Sequence, residues 1–318
     1  MARNAVQFQK GLSESEFQRL YGTEELCRAV VFKLRWPDGF VCPGCGGRAH
    51  CVIRTRLVHQ CNACKLQTSL TAGTIFAATK LELKVWFQAM YHMTQSKQGI
   101  SSVELGRRLG VRQRIAWAMK SKLAQVMMER DDSDDKRLGG RIEMDDAYLG
   151  GQRSGGQRSG GKRGRGAPAK TPFVAAVETT DDGKPRRVKL RRVKRFSKKA
   201  VKALAEKTLL PSARVYTDGL KCFTGIAAAG ATHVPFTIGP FLKSQKAPRF
   251  KWVNTLLGNI KSAITGTYRA VRSHAGRTLA EFEYRFNRRF DLAAMIPRLA
   301  YAAVRTQPMP YRLLILTE

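Results

Sequence analysis

The sequence predicts an α/β core preceded by a small metal-bound ribbon and a helical segment. Three observations carry this prediction. Two Cys-x-x-Cys pairs, Cys42/Cys45 and Cys61/Cys64, lie 15 residues apart near the start. A helix–glycine–helix pattern follows over residues 101–128. Beyond residue 140 the hydrophobic period changes from helical spacing to strand alternation, then mixes the two. A length of 318 residues suggests about two domains. A hydrophobic content of 43% supports a sizeable core and excludes a disordered or fibrous chain.

Lys and Arg number 57 against 24 Asp and Glu, a net charge of +33. The excess is uneven: residues 152–199 hold 16 Lys/Arg against 3 acids, and residues 243–289 hold 11 against 2. Positive charge concentrated in this way points to a polyanion partner. An anionic membrane is the weaker candidate, because no long amphipathic helix gathers its Lys and Arg on one face. No run approaches the roughly 18 apolar residues of a membrane span. The first 20 residues lack the apolar stretch of a signal peptide, so the chain reads as cytoplasmic and nucleoid-associated. Seven cysteines, four of them in the two pairs, mean metal rather than disulfides in a reducing compartment.

Ser13 with Glu16 three residues on is a capping box. It opens an amphipathic helix expected to run to about Leu34, with Phe17, Leu20 and Leu26 among its apolar residues, until Pro37-Asp38-Gly39 ends it. The spacing C-x2-C-x15-C-x2-C then falls in the zinc pattern. Each pair forms a tight knuckle, and two knuckles close a four-thiolate Zn²⁺ site, Cys42, Cys45, Cys61 and Cys64, with no open position for catalysis. Between them Ile53, Thr55 and Leu57 alternate with Arg54, Arg56 and Val58 as strand faces do. Cys51, His50 and His59 lack a paired knuckle and read as bystanders, and Cys27 and Cys222 as buried thiols. Leu81–Met93 reads as a helix with Leu83, Trp86, Phe87 and Met90 on one face. Ser101 and Glu104 make a second capping box, Gly110 stops that helix, and Arg112–Met128 forms a longer one with Ile115, Met119, Leu123 and Val126 inward. Two helices about a glycine turn, the second bearing Arg112, Arg114, Lys120 and Lys122, make a helix-turn-helix pattern with a DNA-contacting face; the plainer reading is a helical hairpin that only packs. The acidic run Asp131–Asp135 reads as a solvated linker at a domain boundary.

Arg141–Leu149 alternates as a strand. Gly150–Gly166 is low-complexity and basic and cannot bury a core. Thr171–Thr179 and Arg186–Val193 are two further strands joined by the Asp182-Gly183 turn. Ser197 caps a helix to about Leu210, Ala213–Thr217 is a fourth strand, and residues 252–265 and 278–289 are helical. Three antiparallel strands, a helix, a strand and then helices is an α/β pattern of ribonuclease H type. Asp145 lies in the first strand of that core and Asp218 closes the fourth. In such a sheet these strands are neighbours, so the two carboxylates converge and can hold Mg²⁺ or Mn²⁺. Asp146 points to the opposite face, so only one of Asp145 and Asp146 lines the site, and spacing alone does not choose between them.

The stretches CPGCG…CNAC, SLTAGTIF, KQGISSVELGRRLGV, EMDDAYLGG, YTDGLKCF, WVNTLLGNIKSAITGTY and EFEYRFNRR occur in order over nearly the whole chain. As an ordered set they resemble bacterial insertion-sequence transposases of the DDE superfamily, in the ISXO-like group that carries an N-terminal zinc ribbon. The resemblance implies a ribonuclease-H-like core and metal-dependent cutting and joining of DNA at the element's ends. It implies that the first catalytic Asp falls in the Glu-x-Asp-(Asp/Glu)-x-Tyr strand, which selects Asp145, and the second in the Asp-Gly-Leu turn, Asp218. The third position, Glu in many of these enzymes, is Asn254 here, with Lys261 seven residues on, as is frequent in this group. The resemblance also implies an accessory Glu-Arg-Arg helix, Glu281, Arg285 and Arg288, in which the arginines hold phosphates and Glu281 orients one of them.

Asn254, Gly258 and Lys261 share one helix face. An Asn carbonyl is a neutral oxygen ligand for a metal, and Lys261 can hold a phosphate as a point charge. The plainer readings are a helix N-cap for Asn254 and a solvated charge for Lys261. Glu283 sits on another face as a bystander, and His233 reads as a core or surface residue. No GxxxxGK[ST] motif is present, so no nucleotide cofactor is expected.

The expected organisation is residues 1–75 for the N-terminal helix and ribbon, 80–130 for the helix-turn-helix-like segment, 138–300 for the core and 301–318 for a tail. The expected function is a DNA transposase, at least a dimer on double-stranded DNA, that uses Asp145, Asp218 and Asn254 with Mg²⁺ to cut element ends and to join the freed 3′-hydroxyl to target DNA. The alternative is a catalytically degenerate DNA-binding derivative, motivated by Asn254. A nuclease acting on RNA–DNA hybrids is the third reading, from fold analogy alone.

Overall fold

A computed structural model describes residues 11–133, 137–149, 170–236, 250–268 and 274–316. The basic segment Gly150–Gly166 and residues 243–249 lie outside the described residues. The chain divides into two units, one comprising the residues through Arg130 together with Arg288–Leu316, the other Asp131–Asn287. The core unit thus ends at Asn287 rather than near residue 300, and residues 288–316 are part of the first unit rather than a tail.

The first unit opens with α1 (Glu14–Tyr21) and α2 (Glu24–Arg35). The capping box at Ser13 and Glu16 forms in both directions. One long helix was expected here, but it breaks at Gly22. A Cβ at that position would meet the Gln18 carbonyl oxygen at 2.1 Å, and the next residue, Thr23, caps α2 through the Leu26 amide. Phe17 and Tyr21 face inward, whereas Leu20 and Leu26 are exposed. The ribbon is a three-stranded antiparallel sheet of β1 (His50–Ile53), β2 (Val58–Cys61) and β3 (Gln67–Ser69). The alternation expected through residues 54–57 is a turn instead, with Leu57 in the left-handed region at φ 51°.

α3 (Leu83–Gln95) buries Leu83, Trp86, Phe87 and Met90 as its spacing requires. α4 (Ser102–Leu109) starts at Ser101, whose hydroxyl accepts the Glu104 amide, and stops at Gly110, which adopts φ 65°. Only half of the expected box forms, because the Glu104 carboxylate pairs with Arg108 at 2.9 Å. α5 (Gln113–Ser133) turns Ala116, Met119, Leu123, Val126 and Met127 inward, and Ile115, expected among them, is exposed. The helix runs on through Asp131, so that residue is no solvated linker: it is buried, and its carbonyl accepts from Lys189 Nζ at 3.0 Å.

The second unit is a five-stranded mixed sheet. β4 (Arg141–Leu149), β5 (Thr171–Thr179) and β6 (Pro185–Arg192) are antiparallel neighbours. After α6 (Lys198–Thr208), β7 (Arg214–Thr217) pairs parallel to β4, and β8 (Thr232–Pro235) pairs parallel to β7. The order β6-β5-β4-β7-β8 is that of a ribonuclease-H-like sheet. α7 (Lys251–Gly266) and α8 (Ala275–Asn287) complete the unit. Alternation decides which helix covers which face. Ala147, Leu149, Phe173, Ala175 and Val177 pack with Val253, Leu256 and Ile260 of α7. Ile142, Met144, Val174 and Ala176 pack with Val201 and Ala205 of α6.

An edge strand exposes amides and carbonyls that invite pairing with other chains. In β6 three of them are covered by side chains of α8. Asn287 accepts the Val188 amide at 2.8 Å and donates to the Val188 carbonyl at 3.1 Å, and Glu283 accepts the Leu190 amide at 2.8 Å. Glu283, expected to be a bystander, is fully buried and also pairs with Arg191 at 2.7 Å and Lys189 at 3.1 Å. Glu283→Ala would leave the Leu190 amide without its acceptor, and Lys189 and Arg191 without their counter-charge and with only backbone carbonyls to donate to. Removing one partner of a buried pair costs about 3–5 kcal/mol, so denaturant unfolding is expected to show a loss of that order; a change below about 1 kcal/mol would contradict the clamp.

Candidate active site and metal centre

The carboxylates meet because of where two strands end. β4 pairs with β7 only over Arg141–Glu143, and β4 then continues to Leu149 while β7 stops at Thr217. The chain leaves β4 toward β5 on one side and β7 lies on the other. This open end is the kind of switch point where α/β sheets place their ligands. Asp218 follows directly, shaped by a tight turn: its Oδ1 accepts the Leu220 amide at 3.1 Å, and Gly219 takes φ 80°. Thr217 supports the turn, its hydroxyl accepting the Gly219 amide at 3.2 Å and lying 2.8 Å from His233 Nε2. His233 thus serves the turn, and burial holds its pKa below the usual histidine value.

Asp145 Oδ1 accepts the Asp146 amide at 2.9 Å. Asp145, Asp146 and Asp218 each offer a carboxylate oxygen, all within 4.8 Å of one another. The expectation that only one of the two adjacent aspartates can line the site is therefore corrected. Residues beyond the β7 pairing flank an open end, so both faces of the strand reach it. Three hard oxygen donors fit a divalent cation of the Mg²⁺ or Mn²⁺ type, whose octahedral shell at about 2.1 Å spaces its oxygens roughly 3.0–4.2 Å apart.

Asn254 lies in the first turns of α7 and is exposed, on one stripe with exposed Gly258 and Lys261. It is not the N-cap; that position is Phe250. The first amides of the helix are met from the strand instead. Glu143, only 1% exposed, accepts from the amides of Trp252 at 2.8 Å and Val253 at 3.0 Å, and from Arg141 Nη1 at 2.9 Å.

Glu281 and Arg285 do not face outward. Both are buried and paired with each other, and the Tyr268 hydroxyl donates to Glu281. Arg288 lies past the last residue of α8, so the expected i, i+4, i+7 helix face ends before it. In the helix pair of the first unit, Arg112 and Arg114 are exposed, with Arg114 over the Tyr311 ring at 4.6 Å. Lys120 donates instead to the Ile100 carbonyl, and Lys122 to that of Ile75 at 3.4 Å.

The four ribbon cysteines gather as their spacing requires. Sγ of Cys42 lies 3.5 Å from that of Cys64, Sγ of Cys45 lies 3.5 Å from that of Cys61, and all four fall within 4.8 Å. A tetrahedron of Zn–S bonds near 2.3 Å requires sulfur separations of about 3.8 Å, so the donor set fits zinc. Amides of Cys64 and Ala63 donating to its sulfur draw the Cys61 thiol down to about 6, which favours the thiolate a metal needs. His50 and His59 belong to an aromatic cluster with Trp36 and Phe40: the His59 ring lies 5.2 Å from Trp36, and the His50 ring 4.5 Å from Phe40. Cys51 is exposed and stands outside the thiolate group.

A ribonuclease-H-like sheet with carboxylates converging where the pairing of its central strands β4 and β7 stops, preceded by a four-cysteine ribbon, defines the class of DDE transposases. The family model described as ISXO2-like transposase domain matches residues 137–287, and the transposase zinc-ribbon domain matches residues 22–67. Together they span well over half of the chain, which belongs to the ISXO2-like transposases. No curated protein matches the sequence. Among solved structures, the crystal structure of a pre-cleavage Mos1 transpososome is similar at 9% identity over 64% of this chain and 76% of that one, with a TM-score of 0.18, too low to carry an argument. No helix among the described residues is long and apolar enough to cross a membrane.

Proposed function

We propose that this chain binds the ends of an insertion element and, with Mg²⁺ or Mn²⁺, cuts a strand there and joins the freed 3′-hydroxyl to target DNA. The observation that carries the reading is the convergence of Asp145, Asp146 and Asp218 within 4.8 Å, just beyond the point where the parallel pairing of β4 with β7 stops. Asp145 and Asp218 hold the cations, Asp146 adds a third carboxylate, and Asn254 adds a neutral oxygen from α7. A divalent pair so held supplies activation of the attacking hydroxyl and charge stabilisation at the scissile phosphate. Lys261, one helix face along from Asn254, offers a positive charge to the flanking phosphate.

The test is incubation of the full chain with element-end DNA, target DNA and Mn²⁺. Joined products support the reading. Tight end binding without any cut supports the degenerate DNA-binding alternative, and cleavage of an RNA–DNA hybrid in preference to element ends supports the nuclease.

The first unit reads the DNA, with Arg112 and Arg114 on the phosphates. Each Ala substitution there is expected to weaken binding on all sequences alike and to lower the slope of log affinity against log salt by about 1. Lys120→Ala is expected to leave that slope unchanged and to cost about 1 kcal/mol of stability through the lost Ile100 bond. A fall in slope for Lys120→Ala equal to that for Arg112→Ala would overturn this division. Transposition joins two ends, so the assembly on double-stranded DNA is at least a dimer.

A further inference from the structure

We infer that Glu143 is a positioning residue that docks the first turn of α7 on β4 and so presents Asn254 to the cations at Asp145 and Asp218; this rests on the cation reading above.

Four observations lead there. Glu143 and Asp145 are two residues apart on β4 and therefore share a face. That face is the one packed against α7, since Ala147 and Leu149 continue it into the cluster holding Val253 and Leu256. The Glu143 carboxylate is almost wholly buried and accepts two successive amides at the start of α7, from Trp252 and Val253. Asn254 is the very next residue. The first helix amides have no partner within their own helix and carry the positive end of its dipole. A buried carboxylate is the strongest side-chain acceptor for them, and Arg141 at 2.9 Å balances its charge. Arg141 is itself stacked over Tyr216 of β7, its guanidinium 4.8 Å from the ring centre. One carboxylate therefore ties the start of α7 to both strands that bear the aspartates. Asn is a neutral ligand and contributes less attraction than Glu, so its value depends on being held in place rather than drawn in.

The experiment measures Mn²⁺ binding to the full chain by electron paramagnetic resonance, with amide hydrogen exchange at Trp252 and Val253 as a second readout. Asp145→Asn, Glu143→Gln, Asn254→Ala and the double variant Glu143→Gln/Asn254→Ala are compared with the unaltered chain. Gln keeps the shape and one acceptor of Glu143, which guards against a variant that fails to fold. The expected result is exchange at Trp252 and Val253 faster by tenfold or more, and Mn²⁺ binding weakened about fivefold by Glu143→Gln and similarly by Asn254→Ala. The double variant is expected to be no weaker than the weaker single one, because both changes remove the same ligand. Unchanged Mn²⁺ affinity in Glu143→Gln, unchanged exchange, or losses that simply multiply in the double variant would each overturn the positioning role alone. A native chain whose Mn²⁺ binding is unaffected by Asp145→Asn would overturn the cation reading and the positioning role together.

Discussion

Asp145→Asn is expected to slow cleavage of element-end DNA by roughly 10³-fold or more, about 4 kcal/mol of barrier, with DNA affinity and stability little changed. Asn has the shape of Asp and keeps the oxygen that accepts the Asp146 amide. What it removes is one negative charge from a group of three converging carboxylates. Hard cations would be held by such charge, and on the proposed reading its loss would withdraw the activation of the attacking oxygen that they would supply. Asp218→Asn is expected to act alike, since an Asn carbonyl can still accept the Leu220 amide of the turn. Asp146→Asn is the informative third member: as an added ligand beside two principal ones it is expected to cost about 10–100-fold, the range of a supporting metal contact. Single-turnover cleavage in Mn²⁺, with binding measured on the same DNA, checks all three. Cleavage by Asp145→Asn at the native rate would remove that residue from the mechanism.

Cys64→Ser is expected to abolish zinc binding and unfold the ribbon while leaving Mn²⁺ uptake by the core intact. Structural zinc supplies about 10–16 kcal/mol of folding energy in small domains. The ribbon offers little to replace it: three strands of three to four residues with β1 largely exposed. Cys64 is itself exposed, so the substitution removes a ligand without opening a cavity. Trp36 packs against His59 of the ribbon and reports the loss by fluorescence. The measurement is zinc per chain by mass spectrometry beside tryptophan emission. A native ribbon that holds its fold with no zinc and ignores chelators would show the four-cysteine assignment to be wrong.

What was legible in the sequence was local. The two cysteine knuckles, the Gly110 stop, the Asp182-Gly183 turn and the strand alternation of residues 141–149 each depend on neighbours a few positions away, and each formed. The break at Gly22 was equally local but hidden, since a helix runs through most single glycines and only the start at Thr23 marks this one. β8 escaped notice because four residues, THVP, carry too little alternation to count. The larger departures concern charge. Glu143, Glu281, Glu283 and Arg285 each stand between two apolar neighbours on a strand or helix, a setting that does not distinguish a buried charge from a surface one. Their partners are fixed by the fold: Glu143 meets amides more than a hundred positions away, and Glu283 meets β6. No periodicity encodes such meetings. Asp146 departs for a related reason: it keeps its place in the ladder opposite Val174, yet its carboxylate comes within 4.8 Å of those of Asp145 and Asp218, a proximity that alternation along one strand does not encode.

The amino-terminal unit is closed by chain that is made last. The Ile75 amide bonds to the Ala303 carbonyl at 3.3 Å, and Gln95 donates to that of Leu292 at 3.2 Å, on the approach to and in α9 (Met295–Ala303). A ribosome adding roughly 5–20 residues per second takes roughly 10–45 s to travel from one end of the first bond to the other. During that interval Asp131–Asn287 emerges as one uninterrupted piece and can settle into its sheet. The first unit at that point still lacks α9 and everything beyond it, so a nascent polypeptide stalled before residue 288 would carry all of Asp131–Asn287 and only part of the unit that precedes it.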